Sequence, residues 1–516
     1  MRNSVKRWIG ALLAACLVMA LLPTAALATD TGKAIQRVSN DSNDSAGNIG
    51  GRQADNVYFG TYRQSSNGSS SYNTDPVKWR VLSNTGGQLF LLSDQNLDVF
   101  QYHTELEDVT WEKSTMRSWL NGYDASENAG GENGIDYTDD NFLGTAFSAK
   151  EQTAIAQTTV VNDPNTDYDT DGGNNTTDQI FLLSLTETYN RTYFPRDTTL
   201  LSTNTAYVAG GGKLDRGMND ANAADRWWLR SPGYYHWQAA YIEDDGSPVA
   251  DGNPVNDSSS AVRPAFNLSL SSVLFTSAAT GGKPDGGLTA VDAYAGNEWK
   301  LTLLDSDRNF TVSDESWNEN TLTFSYSNAQ TGTNEYISAI IEENGAITYY
   351  GRILQLSDAP TGASGTASLS LPDGVALSET AELYVFNEQY NGDYKTDYAS
   401  PLQSISPAPA QAPSITTTSL SDGKVGEAYS QALAATGTAP ITWSIDSGSS
   451  LPAGLTLSLS GIISGTPTAT GTFTFTVKAT NSAGNATKDL TIVIQAASVG
   501  PNPDPNPNPT PNPNYN

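Results

Sequence analysis

Thiol chemistry is missing from this chain once it matures. Cys16 is the single cysteine in 516 residues, and it lies in an apolar run that reads as an export signal. Its loss excludes disulfides, cysteine–zinc sites and a cysteine nucleophile. Positive charge is scarce as well: 27 Lys and Arg stand against 56 Asp and Glu, a formal charge of −29. That balance argues against nucleic acid or anionic lipid as a partner and suits solubility outside the cell. The two histidines, His103 and His236, cannot supply a three-histidine zinc site by themselves. No G-x-S-x-G elbow occurs, so the commonest serine-hydrolase signature is absent. Beyond the signal, no stretch is long and apolar enough to span a bilayer.

The signal itself has Arg2, Lys6 and Arg7, an apolar run, and Ala26-Leu27-Ala28 as a small-residue cleavage site. Leu13-Ala14-Ala15-Cys16 also fits a lipoprotein cleavage box, but the apolar run continues past Cys16 and favours cleavage at Ala28. At this length one core is too few. The pattern predicts a signal at 1–28, a flexible lead-in at 29–55 and an α+β ligand-binding domain at 56–275. A Gly-rich linker at 276–296 and a β-sandwich at 297–405 follow. A Pro/Ala linker at 406–412, an immunoglobulin-like domain at 413–495 and a disordered Pro/Asn-rich spacer at 496–516 complete the chain. Proline at every second tail position removes backbone donors and favours an extended form.

In the first domain, Val77, Trp79 and Val81 alternate with Lys78 and Arg80, the mark of a half-buried strand. Ser114 can cap a helix whose Met116, Trp119 and Leu120 share a face. Ser148 with Glu151, and Ser184 with Glu187, are capping boxes. The run from Arg226 to Leu268 organises the domain. Trp227 and Leu229 are core-like, and Asp245-Gly246 is a hairpin turn between strand-like flanks. Arg230 and Arg263 are charges inside apolar runs. Each demands a carboxylate or several carbonyls, and is read, with Trp227, as structural.

Two stretches carry candidate chemistry. Tyr234, Tyr235, His236 and Trp237 follow Ser231-Pro232-Gly233, which places them on a loop where flat rings can grip a sugar or peptide. Asp167, Asp169, Asp171 and Asp178, with Gly172, fall at the spacing of an EF-hand-like loop, and Ca2+ is the cofactor this implies. The competing reading is a solvated acidic turn in which Asp178 makes a structural hydrogen bond. Carboxylate pairs suited to glycoside hydrolysis are not legible from spacing along the chain.

Val425-Gly426, Pro440-Ile441-Thr442-Trp443, Leu451-Pro452-Ala453-Gly454-Leu455 and Gly461-Ile462-Ile463-Ser464-Gly465-Thr466-Pro467 resemble the immunoglobulin-like, cadherin-like repeat of bacterial surface proteins. The resemblance implies a spacer or adhesion module without cadherin-type calcium motifs. Residues 57–270 resemble an uncharacterised secreted bacterial domain of unknown function. The carrying motifs are Val77 to Leu82, Thr115 to Asn121, Ile180 to Ser184, Trp227 to Gly233 and Val262 to Leu268. The order of strand pair, helices and late tryptophan-rich hairpin is similar to C-type-lectin-like and sulfatase-modifying-factor folds. The sulfatase-modifying enzymes use cysteines, so only a binding role would transfer.

The expected protein is multidomain: an α+β, C-type-lectin-like front domain, two all-β immunoglobulin-like sandwiches and a Pro-rich tail. It is expected to be a secreted or cell-surface adhesion protein of Gram-positive type and not an enzyme. Its expected partners are an extracellular glycan or protein and the cell wall. An extracellular hydrolase of polysaccharide or peptide and a purely structural stalk are the alternatives.

Overall fold

Among the described residues strands dominate, and the longest helix, Thr115–Asn121, has seven residues. The structure, a computed structural model, describes residues 33–37, 55–68, 71–124, 136–195, 200–357, 363–372, 375, 377, 380–406, 411–438 and 440–497. The signal at 1–28 and residues 498–516 of the spacer lie outside the described residues, as does most of 29–55. Two compact units emerge, residues 1–372 with 380–406, and residues 407–516 with 373–379. Among the described residues no helix is long and apolar enough to cross a membrane.

The first unit is built on a 14-stranded sheet, which corrects the expected boundary at 276–296. Strand Glu298–Leu304 is the seam. It pairs in parallel with Asn56–Ser66 on one side (Trp299 opposite Val57) and with Asp397–Ala399 on the other (Thr302 opposite Asp397). It also takes Val273–Ala278 antiparallel, with Ala278 opposite Trp299. The presumed linker therefore supplies the end of that strand and all of Gly286–Ala290, which pairs with Ala346–Gln355. Cores follow the same continuity. Trp299, Leu301 and Leu303 pack among the front residues, while Ile35, Phe275, Val291, Ile340, Tyr350 and Phe386 share a second cluster. Ile35 belongs to the expected lead-in, yet Ile35–Gln36 is a strand on Val273–Ala278. The strands of 297–405 divide between the large sheet and a three-stranded sheet of Thr311–Asn318, Thr321–Ser327 and Gly365–Ser370.

Local signals hold well inside this frame. Both capping boxes form, at Ser148 with Glu151 and Ser184 with Glu187, and Ser114 accepts from the Arg117 N–H. The Asp245-Gly246 turn joins Gln238–Ile242 to Pro248–Pro254, with Gly246 at φ +86° as the turn requires. These two strands, Trp227–Pro232, Ala261–Val262 and Asp98–Val99 form a five-stranded sheet. The closing run is not wholly antiparallel: Ala261 pairs in parallel with Trp227, and Ala265–Ser269 crosses to the large sheet.

The second unit is a sandwich of short strands. Gly471–Asn481 and Gly484–Gln495 form its long hairpin, and Thr442–Ile445 pairs on the outer side of the first. Phe475, Val477 and Ala479 face inward as alternation demands, joined by Trp443, Ile463, Leu490 and Ile492.

Candidate functional site

The two stretches singled out for chemistry lie against each other. Asn165, buried at the base of the acidic loop, donates its Nδ2 to Pro232 O at 2.8 Å and Ala250 O at 2.9 Å. Its Oδ1 accepts from the Asp167 N–H at 2.9 Å, and its carbonyl from Asp169 N–H at 2.8 Å. Thr170 donates to the Tyr234 carbonyl at 2.9 Å, tying the loop to the aromatic turn. Close backbone approach selects glycine at both ends of this contact. A Cβ on Gly172 would lie 2.4 Å from Asn162 O, and one on Gly233 would lie 2.4 Å from Asp251 O.

The turn after Pro232 projects its rings outward. Gly233 N–H donates to Gln238 O at 2.7 Å, Tyr234 N–H to Asp251 O at 2.8 Å and Tyr235 N–H to Gln238 Oε1 at 3.1 Å. Held this way, Tyr234 is 48% and Tyr235 52% exposed, so both rings are open to a ligand. His236 is exposed and Trp237 half-buried. Tyr235 and Trp237 stack at 5.5 Å with an 11° interplanar angle. Tyr234 meets Tyr235 edge-on at 4.5 Å, and Tyr168 from the acidic loop meets Tyr234 edge-on at 4.8 Å. The Tyr168 hydroxyl donates to the Asp251 carboxylate, which raises the phenol above its ordinary pKa. Four connected rings thus stand beside exposed Asp167, Asp169, Asp171 and Asp251. Tyr168 and Asp251 were not identified from sequence. Tyr168 sits within the very motif read for its carboxylates, and its alternation with them along the loop was the available signal.

Asp178 does not join its fellow acids, which corrects its assignment as a metal ligand. It is fully buried, and its oxygens accept from Arg117 Nε at 2.7 Å, Thr176 Oγ1 at 2.6 Å, Trp111 Nε1 at 3.0 Å and Tyr123 OH at 3.1 Å. With its lone pairs committed to four donors, it cannot close an ion site on the loop. Among the described residues no group of three or more His, Cys, Asp or Glu side chains is placed to hold a metal.

The two arginines solve burial differently. Arg230 pairs with the Glu187 carboxylate at 2.6 Å and donates to Leu182 O and Val161 O. Glu187 is also the capping-box residue, so one carboxylate serves a helix and a guanidinium. Arg263 has no carboxylate within ion-pair reach among the described residues. It donates to Ser93 O at 2.9 Å, Leu200 O at 3.0 Å and Asp94 O at 3.4 Å, and lies 4.9 Å from the ring of fully buried Trp227. Burial, with repulsion from Arg80, holds its pKa well below the ordinary value.

A family model described as Domain of unknown function (DUF6273) matches residues 86–270, and one described as Putative Ig domain matches 412–496. A search of curated proteins finds no match. Among solved structures, a putative alpha-galactosidase from Bacteroides fragilis NCTC 9343 is 34% identical, over 16% of this chain and 17% of that one, with a TM-score of 0.15. The chain therefore spans about a sixth of that protein's length. Drosophila OTK extracellular domains 3–5 match at 15% identity over 36% of this chain and 60% of theirs, TM-score 0.23. Titin domain M7 matches at 23% identity over 17% and 99%, TM-score 0.14. The aromatic and acidic loops accordingly lie within the stretch that the DUF6273 model matches, and the carboxy-terminal sandwich within the one matched by the model described as Putative Ig domain.

Proposed function

We propose that the protein is a secreted or cell-surface binding protein of Gram-positive type, whose Tyr168–Tyr234–Tyr235–Trp237 face grips an extracellular glycan. The observation that carries this reading is the stack of exposed Tyr235 on half-buried Trp237, 5.5 Å apart and nearly parallel. A stacked pair holds its outer ring rigid and leaves that ring's far face as a flat apolar surface for the C–H face of a sugar at low entropic cost. The flanking Asp167 and Asp251 supply acceptors for its hydroxyls. Peptide remains the second ligand class, through the same rings, and an adhesion role and the cell wall as partner belong to the same reading. So does the likeness to C-type-lectin-like folds, which the late tryptophan-rich hairpin supports. In this reading the carboxy-terminal Ig-like domain is a spacer and the protein is not an enzyme.

The test is a glycan and peptide array probed with the full chain and with a Tyr235→Ala/Trp237→Ala variant. Specific glycan binding that the variant loses by at least tenfold is the expected result. Binding of equal strength by both chains contradicts the assignment, and turnover of a bound glycan would favour the hydrolase alternative.

A further inference from the structure

A second chemical cluster lies at the seam, far from solvent and without a role in ligand binding. Lys283, Glu388, Asp397 and Lys300 are each buried, with side chains at most 2% exposed. Lys283 Nζ is 2.7 Å from Asp397 Oδ2, touches Glu388 Oε1, and donates to Thr302 Oγ1 at 2.6 Å. The other Glu388 oxygen accepts from Tyr350 OH at 2.6 Å and Ser338 Oγ at 2.8 Å. Asp397 Oδ1 accepts from the Asn391 N–H and from Lys300 Nζ, both at 2.9 Å. Phe275 lies 4.9 Å from the Lys283 amine.

An amine held against a carboxyl group, with a second carboxylate touching the amine and water excluded, is arranged for condensation. Fixing the partners replaces a bimolecular encounter by a unimolecular one, and a dry site favours the direction that releases water. Buried ions also carry a desolvation cost, which an amide removes for one pair of the four. We propose that Lys283 and Asp397 form an intramolecular amide cross-link, with Glu388 carrying the protons.

The resting cluster is ionic. Burial lowers the Lys283 pKa, but Asp397 and Glu388 more than reverse this, so the reactive amine arises when Glu388 takes a proton across their contact. The Nζ–Cγ bond then forms while Lys300 and the Asn391 N–H stabilise charge on Oδ1, the oxygen that stays as the amide carbonyl. The Cγ–Oδ2 bond breaks. Of the three ammonium protons, one remains on the amide nitrogen and two leave with Oδ2 as water, delivered through Glu388, which ends as a carboxylate beside Lys300. No oxidant or co-reactant is consumed. The bond joins residues 114 apart in sequence, fastening the segment ahead of Gly286–Ala290 to strand Asp397–Ala399. It would give a thiol-free extracellular chain the kind of closure that disulfides give others.

Peptide mapping by mass spectrometry on the folded full chain, denatured only before digestion, decides the matter. The expected product is the Lys283 peptide joined to the Asp397 peptide at one water less than their summed mass. It should be absent from Asp397→Ala and at least tenfold depleted in freshly folded Glu388→Gln. Separate, unmodified peptides from the wild-type chain overturn the proposal, as does a cross-link to Lys300 instead. A Glu388→Gln chain that is folded and fully linked removes Glu388 from the reaction. Should that variant fail to fold, Tyr350→Phe, which frees one bond on Glu388, should slow linkage, and unchanged linkage there counts against the role.

Discussion

The two units keep their strands in register by different means. In the first, charges are buried between segments distant in sequence: Arg117 with Asp178, Arg308 with Glu335, Lys283 with Asp397. In the second, the one ion pair among the described residues is Lys424 with Glu427, both side chains largely exposed. There an apolar core and an eleven-rung hairpin set the register locally. A buried charge tolerates few partners, so it specifies a non-local pairing that apolar packing alone would leave loose. A long hairpin needs no such device, because its turn already fixes which residues meet.

Breaking a buried pair should show the contrast most strongly. Asp178→Ala leaves the Arg117 guanidinium without its carboxylate and frees the donors of Trp111 and Tyr123. It should destabilise the first unit by about 3–5 kcal/mol in denaturant unfolding, leaving the second unit's transition in place.

A second difference is in pH response. Burial raises the Asp98 carboxyl to about 6 from 3.8, against the hydrogen bonds it accepts from Tyr62, Val99 and Lys213. Because the folded value exceeds the unfolded one, the protonated carboxyl favours the fold below the unfolded pKa. That contribution is lost as pH rises through about 6. The first unit should therefore lose about 2 kcal/mol between pH 4 and pH 7 from this group. Asp98→Asn should flatten that slope, and the second unit should show no comparable one. A thermal-melt series across that range checks both.

The smallest effects belong to the surface. Tyr235→Ala with Trp237→Ala should change stability by no more than about 1 kcal/mol while removing ligand binding, because the rings are held by backbone bonds of the turn. Lys424→Met in the second unit should fall within about 0.5 kcal/mol of the parent. A large loss in either would mean that the comparison misjudges where stability resides.

What the sequence made legible was local. Ser148 with Glu151 and Asp245 with Gly246 act over a few residues, so composition and spacing reveal them. It was also legible that Arg230 and Arg263 needed partners. Which partners was not, since Glu187 lies 43 residues from Arg230 and the carbonyls around Arg263 come from two distant segments, at Ser93–Asp94 and at Leu200. The stretch 281–287 reads as a joint because glycine reports only local freedom. Its Lys283 is buried by carboxylates more than a hundred residues away. The seam was illegible for the same reason: Tyr58 and Glu298 meet across 240 residues of chain. The acidic loop misled in part because spacing cannot tell an aspartate that faces solvent from one, Asp178, that faces an arginine.

Limited proteolysis of the full chain, with fragments identified by mass, tests the continuity of the first unit most directly. Strands on both sides of 276–296 share one sheet through Glu298–Leu304, so this stretch should resist cleavage until the whole unit melts. Release of a stable, folded 55–275 fragment under native conditions would contradict the account.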